Sequence, residues 1–145
     1  MTTVLLGLAL GLGAPALKDK PTSPSLEGEW EVEGVTTGGR PSKVAPGLRY
    51  TFTPDGKWLI SRDGQALSPQ HNRTVVVDAK PNPPTVDMVS NANAANSSRL
   101  LGIYKVEGDT LTICGTRGGA ERPSSFDSPD GSAVTTYVLK RVKKD

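Results

Sequence analysis

The feature that most constrains the fold is a strict alternation of residue types near the start of the chain. From residue 26 to residue 34 the even positions hold Leu, Gly, Trp, Val and Gly, while every odd position holds glutamate. A period of two places successive side chains on opposite faces of an extended strand, and an amphipathic helix does not produce it. The segment therefore predicts a β-strand with Trp30 on its buried face and the glutamates in solvent.

The rest of the chain repeats this pattern in shorter pieces separated by turn residues. Apolar alternation on both sides of residues 54–56 predicts one hairpin, and alternation on both sides of residues 107–109 predicts a second. The predicted strands cover residues 26–34, 48–53, 57–61, 73–78, 85–90, 100–106, 110–114 and 133–142. The chain carries 16 glycines and 12 prolines, and no segment has the period of a helix.

Short strands joined mostly by tight turns predict an all-β fold, a single antiparallel, roughly eight-stranded up-and-down barrel, with a sandwich as the alternative. Eight strands close around an interior that is filled by packed side chains or holds one small ligand. Both outcomes stay open at this point.

The first residues of the chain predict export. Residues 1–16 carry no charge, contain an apolar run over residues 4–12 and end in Ala14-Pro15-Ala16, the small-x-small pattern of a signal peptidase site. The run is too short for a transmembrane helix, which needs about 20 residues. We therefore expect a signal peptide over residues 1–16 and a periplasmic or extracellular protein, although no Lys or Arg precedes the run. A disordered or core-packed N-terminus is the alternative.

Composition shifts divide the remaining chain. Residues 17–25, with two prolines, predict an extended leader, residues 26–142 the barrel domain, and residues 143–145 a basic C-terminal tail. A charge run at a terminus is usually solvated. A nucleic-acid reader needs basic residues spread over a face with interleaved aromatics, so we expect no nucleic-acid partner.

The chain is poor in residues that carry chemistry. Cys114 and His71 are each single, which excludes an internal disulfide, a thiolate metal site and any scheme with two imidazoles. The glutamate row offers paired carboxylates of the kind that glycosidases use, but like charges along one strand face more often serve solubility and discourage edge pairing. The sequence therefore predicts no enzyme, no metal and no cofactor.

A resemblance supports the barrel. Residues 26–32, residues 100–114, the segment 122–126 and the closing residues 138–141, taken in this order, resemble a family of small uncharacterised exported domains. That family is abundant in planctomycete bacteria, and its members resemble lipocalin-like β-barrels. The resemblance covers residues 26–142 and implies the fold, with ligand binding only by analogy.

Two functions follow from these observations. In the first, the protein is a monomeric, non-catalytic binding module for a small-molecule or cell-envelope ligand. Its candidate ligand-binding residues are five aromatic side chains and one arginine: Trp30, Tyr50, Trp58, Tyr104, Phe126 and Arg122. In the second, the same aromatics are ordinary core residues of a filled barrel that acts as a structural or protein-interaction domain.

The long connection over residues 115–131 bears on this choice. Pro123 fixes the backbone next to Arg122, three residues before Phe126. We expect this loop to fold the Phe126 ring over the barrel opening, either as a structural plug or as a gate with an anion-binding arginine. The plug is the favoured interpretation.

Overall fold

The computed structural model describes residues 25–67, 73–90, 98–117 and 121–143. The predicted signal peptide over residues 1–16, the leader up to residue 24, His71 and residues 144–145 lie outside the described residues.

Every regular element of the described residues is a β-strand, which confirms the all-β prediction. The strands are β1 Gly28–Thr37, β2 Arg40–Ser42, β3 Leu48–Phe52, β4 Trp58–Arg62, β5 Gln65–Ala66, β6 Thr74–Asp78, β7 Thr85–Ser90, β8 Ser98–Glu107, β9 Thr110–Arg117 and β10 Val134–Arg141. Two of these, β2 and β5, are additions to the predicted set. They are short, and their sequences have no apolar alternation that a period of two would detect.

The strands form one antiparallel sheet that curls into a half-barrel. Its order is β5-β4-β3-β1-β10-β9-β8-β7-β6, with β2 attached to β1. The first and last long strands are therefore neighbours, and Trp30 on β1 lies opposite Arg141 on β10. The β1–β10 register shifts between Val32 and Gly34, a bulge that bends β1 across the curled sheet.

Both predicted hairpins are present. Phe52 pairs with Trp58 across the β3–β4 turn, and Glu107 pairs with Thr110 across the β8–β9 turn. The second turn has only two central residues, and Gly108 adopts φ 62° there, a left-handed conformation that glycine takes without a Cβ clash.

The concave face of the half-barrel carries the core. Side chains from eight of the strands form one buried cluster, whose largest fully buried members include Trp30, Tyr104, Phe52, Leu100 and Leu111. Trp30 is 0% exposed, whereas Glu31 and Glu33 are exposed, which confirms the predicted facing of β1. We call the core side of the sheet the inner face and the opposite side the outer face.

The segment over residues 121–133, which we call the outer loop, lies on the outer face. Arg122 donates from Nη1 to Asp87 Oδ1 at 2.6 Å and to the Gly102 carbonyl oxygen at 2.9 Å. The Cys114 thiol lies 3.8 Å from the Asp127 carbonyl oxygen. Ile103 is buried although it lies on the outer face, and it follows Gly102, whose carbonyl oxygen binds Arg122 of this loop.

Candidate functional site

The half-barrel has two ends with different surroundings. The β3–β4 and β8–β9 turns lie at one end, together with the start of β1 and the end of β10, because Gly28 pairs with Phe52 and Trp30 pairs with Arg141. We call this the hairpin end. The opposite end, where β7 ends and β8 and β10 begin, we call the loop end.

A cavity of about 340 Å³ opens at the hairpin end. Its apolar walls come from four parts of the chain: Leu26 before β1, Phe52 on β3, Val75 and Val77 on β6, and Tyr104 on β8. Ser25, Glu27 and Thr53 add polar groups to the lining. Ligand pockets commonly combine a mainly apolar wall with a few polar groups, and their volumes begin near 300 Å³.

Strand β6 supplies the open side of this cavity. Val75 is buried, and its backbone N–H donates to the Gly56 carbonyl oxygen at 2.9 Å. Val77 lies two residues further along the same face and also lines the cavity, yet the residue is 42% exposed. Val77 therefore presents apolar surface directly to the cavity.

Tyr104 lines both this cavity and a second one. The second cavity, of about 270 Å³, is also lined by Pro83, Pro84, Lys105 and Phe126. Burial, followed by the nearby negative charge of Asp78, raises the pKa of Tyr104. The phenol therefore stays protonated at neutral pH and can donate a hydrogen bond.

Trp30 lies behind Leu26, one of the residues that line the cavity. Its indole Nε1 donates to the Leu26 carbonyl oxygen at 2.8 Å, and the Arg141 guanidinium lies 4.2 Å from the ring centroid. The ring itself is fully buried and does not line the cavity. Trp30 thus positions Leu26, which does.

Tyr50 and Trp58 lie together on the inner face, and neither lines the cavity. Their ring centroids are 5.3 Å apart in an edge-to-face arrangement, and Trp58 donates from Nε1 to the Val89 carbonyl oxygen at 3.4 Å. Tyr50 also approaches Tyr137, at 6.1 Å between centroids. Burial and the neighbouring Tyr137 raise the pKa of Tyr50 to about 12.

Arg122 lies apart from the other candidate residues, whereas Phe126 shares the second cavity with Tyr104. Arg122 is held by Asp87 and the Gly102 carbonyl on the outer face, and the Lys105 ammonium lies 4.7 Å from the Phe126 ring centroid. Asp87 offers Arg122 a carboxylate on the outer face and holds the start of the loop there. The expectation that Phe126 folds over the barrel opening stays a prediction, because Phe126 is half-buried and lines the second cavity with Tyr104.

The structure brings Tyr104 to the cavity, places Trp30 behind it, and adds residues that the sequence did not single out. Leu26, Phe52, Val75 and Val77 all line the cavity. The spacing of Val75 and Val77 indicates a shared face, but only the curl of the sheet brings that face to Leu26.

Neither metal nor membrane features stand out in the part of the chain that the structure describes. Within residues 25–67, 73–90, 98–117 and 121–143, no three His, Cys, Asp or Glu side chains are grouped to hold a metal ion. The same residues form no helix that is long and apolar enough to cross a membrane. Cys114 is buried, and burial raises the pKa of its thiol.

Comparison with protein-family models, with curated proteins and with solved structures finds no match to this chain.

Proposed function

We propose that this protein is an exported binding module that holds a small, largely apolar molecule in the cavity at the hairpin end. The observation that carries the proposal is the exposure of Val77 inside a cavity of about 340 Å³ whose walls are mainly apolar. Apolar surface that a fold leaves open in a concave site is stabilised when a ligand removes it from water.

The polar groups of the cavity narrow the ligand class. Glu27 lines the cavity, and Asp78 lies near enough to Tyr104 to raise the pKa of the phenol. Both carboxylates disfavour an anionic ligand there, and the protonated Tyr104 hydroxyl favours an acceptor atom. The ligand that fits best is therefore neutral or cationic, with one polar group on an apolar body.

The proposal includes closure of the half-barrel into an eight-stranded, lipocalin-like barrel through β4 and β6. Supporting it, Lys57 just before β4 bridges Thr74 on β6, and Val75 donates to the Gly56 carbonyl oxygen. Counted through this bridge, β4, β3, β1, β10, β9, β8, β7 and β6 make a ring of eight strands. Such closure would put the cavity at one mouth of the barrel.

Export rests on the uncharged apolar segment over residues 1–16 and its Ala14-Pro15-Ala16 end. N-terminal sequencing of the protein from its own host is expected to give Leu17 as the first residue, from a periplasmic or extracellular fraction. Recovery of Met1 from the cytoplasmic fraction would contradict export.

Binding is tested with a neutral fluorescent probe, N-phenyl-1-naphthylamine, which brightens in apolar surroundings. We expect saturable binding to the unmodified protein. In Val77→Trp the indole fills the cavity, and we expect at least a tenfold loss of probe affinity. Val76→Trp is the matched control, because Val76 is the next residue on the same strand, is 60% exposed and lies on the outer face.

Thermal melts of both variants establish that they fold. If the unmodified protein does not bind the probe, or if the two folded variants bind it equally, the binding function is wrong. The alternative, a structural or protein-interaction domain with a filled interior, would then be favoured by the packed core around Trp30 and Leu111.

A further inference from the structure

The inner face of the half-barrel has a one-sided charge distribution. Three arginines of the strands occupy inner-face positions, because Arg62, Arg117 and Arg141 pair with core-side residues of the neighbouring strands. Those partners are Leu48, Leu100 and Trp30. No carboxylate of the described strands occupies an inner-face position; their six carboxylates are Glu29, Glu31, Glu33, Asp78, Asp87 and Glu107.

The arginines are divided between the two ends. Arg141 lies at the hairpin end, where its guanidinium stacks on the Trp30 ring. Arg117 is the last residue of β9 and lies at the loop end, where its Nη1 donates to Ser98 Oγ at 2.9 Å. The inner face at the loop end therefore carries positive charge without a strand carboxylate to balance it.

A fourth arginine lies just before β6. Arg73 comes two residues before the inward-facing Val75, and its guanidinium lies 5.5 Å from the centroid of the Trp58 ring. Trp58 is buried on the inner face, so the Arg73 guanidinium lies on the same side of the sheet as Arg117.

The Tyr50 phenol lies near both arginines, and a second phenol, Tyr137, lies beside it. Tyr50 and Tyr137 approach with ring centroids 6.1 Å apart, on β3 and β10. Arg117 and Arg73 both lie near enough to Tyr50 to act against the rise in its pKa, yet burial holds that pKa at about 12. The Tyr50 hydroxyl therefore stays a neutral hydrogen-bond donor at physiological pH.

We propose that the loop end of the half-barrel binds an oxyanion, the carboxylate, sulfate or phosphate group of a small molecule, between Arg73 and Arg117 with Tyr50 and Tyr137 as hydroxyl donors. Two guanidinium groups supply the charge and the paired N–H donors that match an oxyanion. The surrounding apolar side chains, Leu48 and Ile60 among them, lower the local dielectric and strengthen the attraction. The site is separate from the cavity at the hairpin end and does not rest on that proposal.

The test uses thermal melts and isothermal titration of the full-length protein with sodium phosphate and with sodium benzoate, at an ionic strength matched with sodium chloride. Phosphate or benzoate is expected to raise the melting temperature above that in chloride, with saturable heats. Tighter phosphate binding identifies a phosphate or sulfate ligand, and tighter benzoate binding identifies a carboxylate on an aromatic body, as the rings of Trp58 and Tyr50 favour.

Arg117→Gln is expected to weaken binding of the preferred anion at least tenfold. Arg99→Gln is the matched control, because the substitution removes the same charge at the same end of the half-barrel. Arg99 lies on β8 and is exposed on the outer face. Tyr137→Phe keeps the ring and removes one hydroxyl, so a smaller but measurable loss is expected. It also keeps the proposal testable if Arg117→Gln fails to fold.

Equal melting temperatures in phosphate, benzoate and chloride would overturn the anion site. Equal losses in Arg99→Gln and Arg117→Gln would overturn it as well, because they would reduce the effect to net charge. Binding of the neutral naphthylamine probe is expected to be unchanged in Arg117→Gln, so the two proposed sites succeed or fail separately.

Discussion

Replacement of Trp30 by alanine is expected to remove most of the stability of the domain. The indole is 0% exposed, and truncation of a fully buried tryptophan typically costs about 3–5 kcal/mol through lost burial and the cavity left behind. Two further contacts are lost with it, the hydrogen bond to the Leu26 carbonyl and the stacking of Arg141. The total free energy of unfolding of a small domain is about 5–15 kcal/mol. Trp30→Ala is therefore expected to remove a large fraction of that stability.

Two variants separate these contributions. Trp30→Phe retains most of the apolar volume but loses the Nε1 donor, so the Leu26 carbonyl is left without its partner at a cost of about 1–3 kcal/mol. Glu31→Ala changes the next residue along β1, which is exposed on the outer face, and we expect a change of about 0.5 kcal/mol or less.

Urea unfolding followed by circular dichroism measures all three variants on one scale. The expected order of destabilisation is Trp30→Ala, then Trp30→Phe, then Glu31→Ala. If Glu31→Ala proved as destabilising as Trp30→Ala, the assignment of the inner and outer faces of β1 would be inverted.

Three other perturbations probe different parts of the fold. Gly102→Ala would place its Cβ 2.9 Å from the Cys114 carbonyl oxygen and is expected to cost about 1–3 kcal/mol in urea unfolding, whereas Gly34→Ala, with no atom within 4 Å, should cost less. Arg122→Ala removes two of the hydrogen bonds that hold the outer loop, those to Asp87 and to the Gly102 carbonyl oxygen, and faster proteolysis of that loop is expected. Burial, followed by the neighbouring Tyr137, raises the pKa of Tyr50 from its ordinary value of 10.0 to about 12. The free energy of unfolding is therefore expected to fall as the pH rises from about 10 to about 12, and thermal melts should show a smaller fall in Tyr50→Phe.

The alternation of residue types predicted most of the strands and their facing. Trp30 and the glutamates beside it are the clearest case, because a period of two specifies which side chains share a face regardless of what packs against them. The β8–β9 hairpin was predictable for a similar reason, because the conformation of a two-residue turn depends on local residues such as Gly108.

Other parts of the fold depend on residues far apart in the chain. The position of the outer loop depends on the ion pair between Arg122 and Asp87. These residues are 35 positions apart in the chain, so no local sequence pattern predicts their contact. The cavity forms where Leu26, Val77 and Tyr104 converge, and their meeting depends on how far the sheet curls. Strand register alone specifies neither the position of the outer loop nor the presence of the cavity.

The alternation along β9 also carries a signal for the charge of the inner face. The inward positions of β9 run through Leu111, Ile113 and Gly115 to Arg117, so the same alternation that buries the leucine also turns the arginine inward. The positive inner face at the loop end was therefore readable from the strand pattern, once the partner Leu100 was known to lie in the core.

The central claim is that the cavity at the hairpin end binds a small, largely apolar molecule. Titration of the ¹⁵N-labelled protein with N-phenyl-1-naphthylamine, followed by two-dimensional NMR, tests it most directly. The account predicts saturable shifts of the Leu26, Val77 and Tyr104 amides, which line the cavity, with little change at Arg99 on the outer face of the loop end. An absence of shifts, or shifts confined to the outer face, would contradict it.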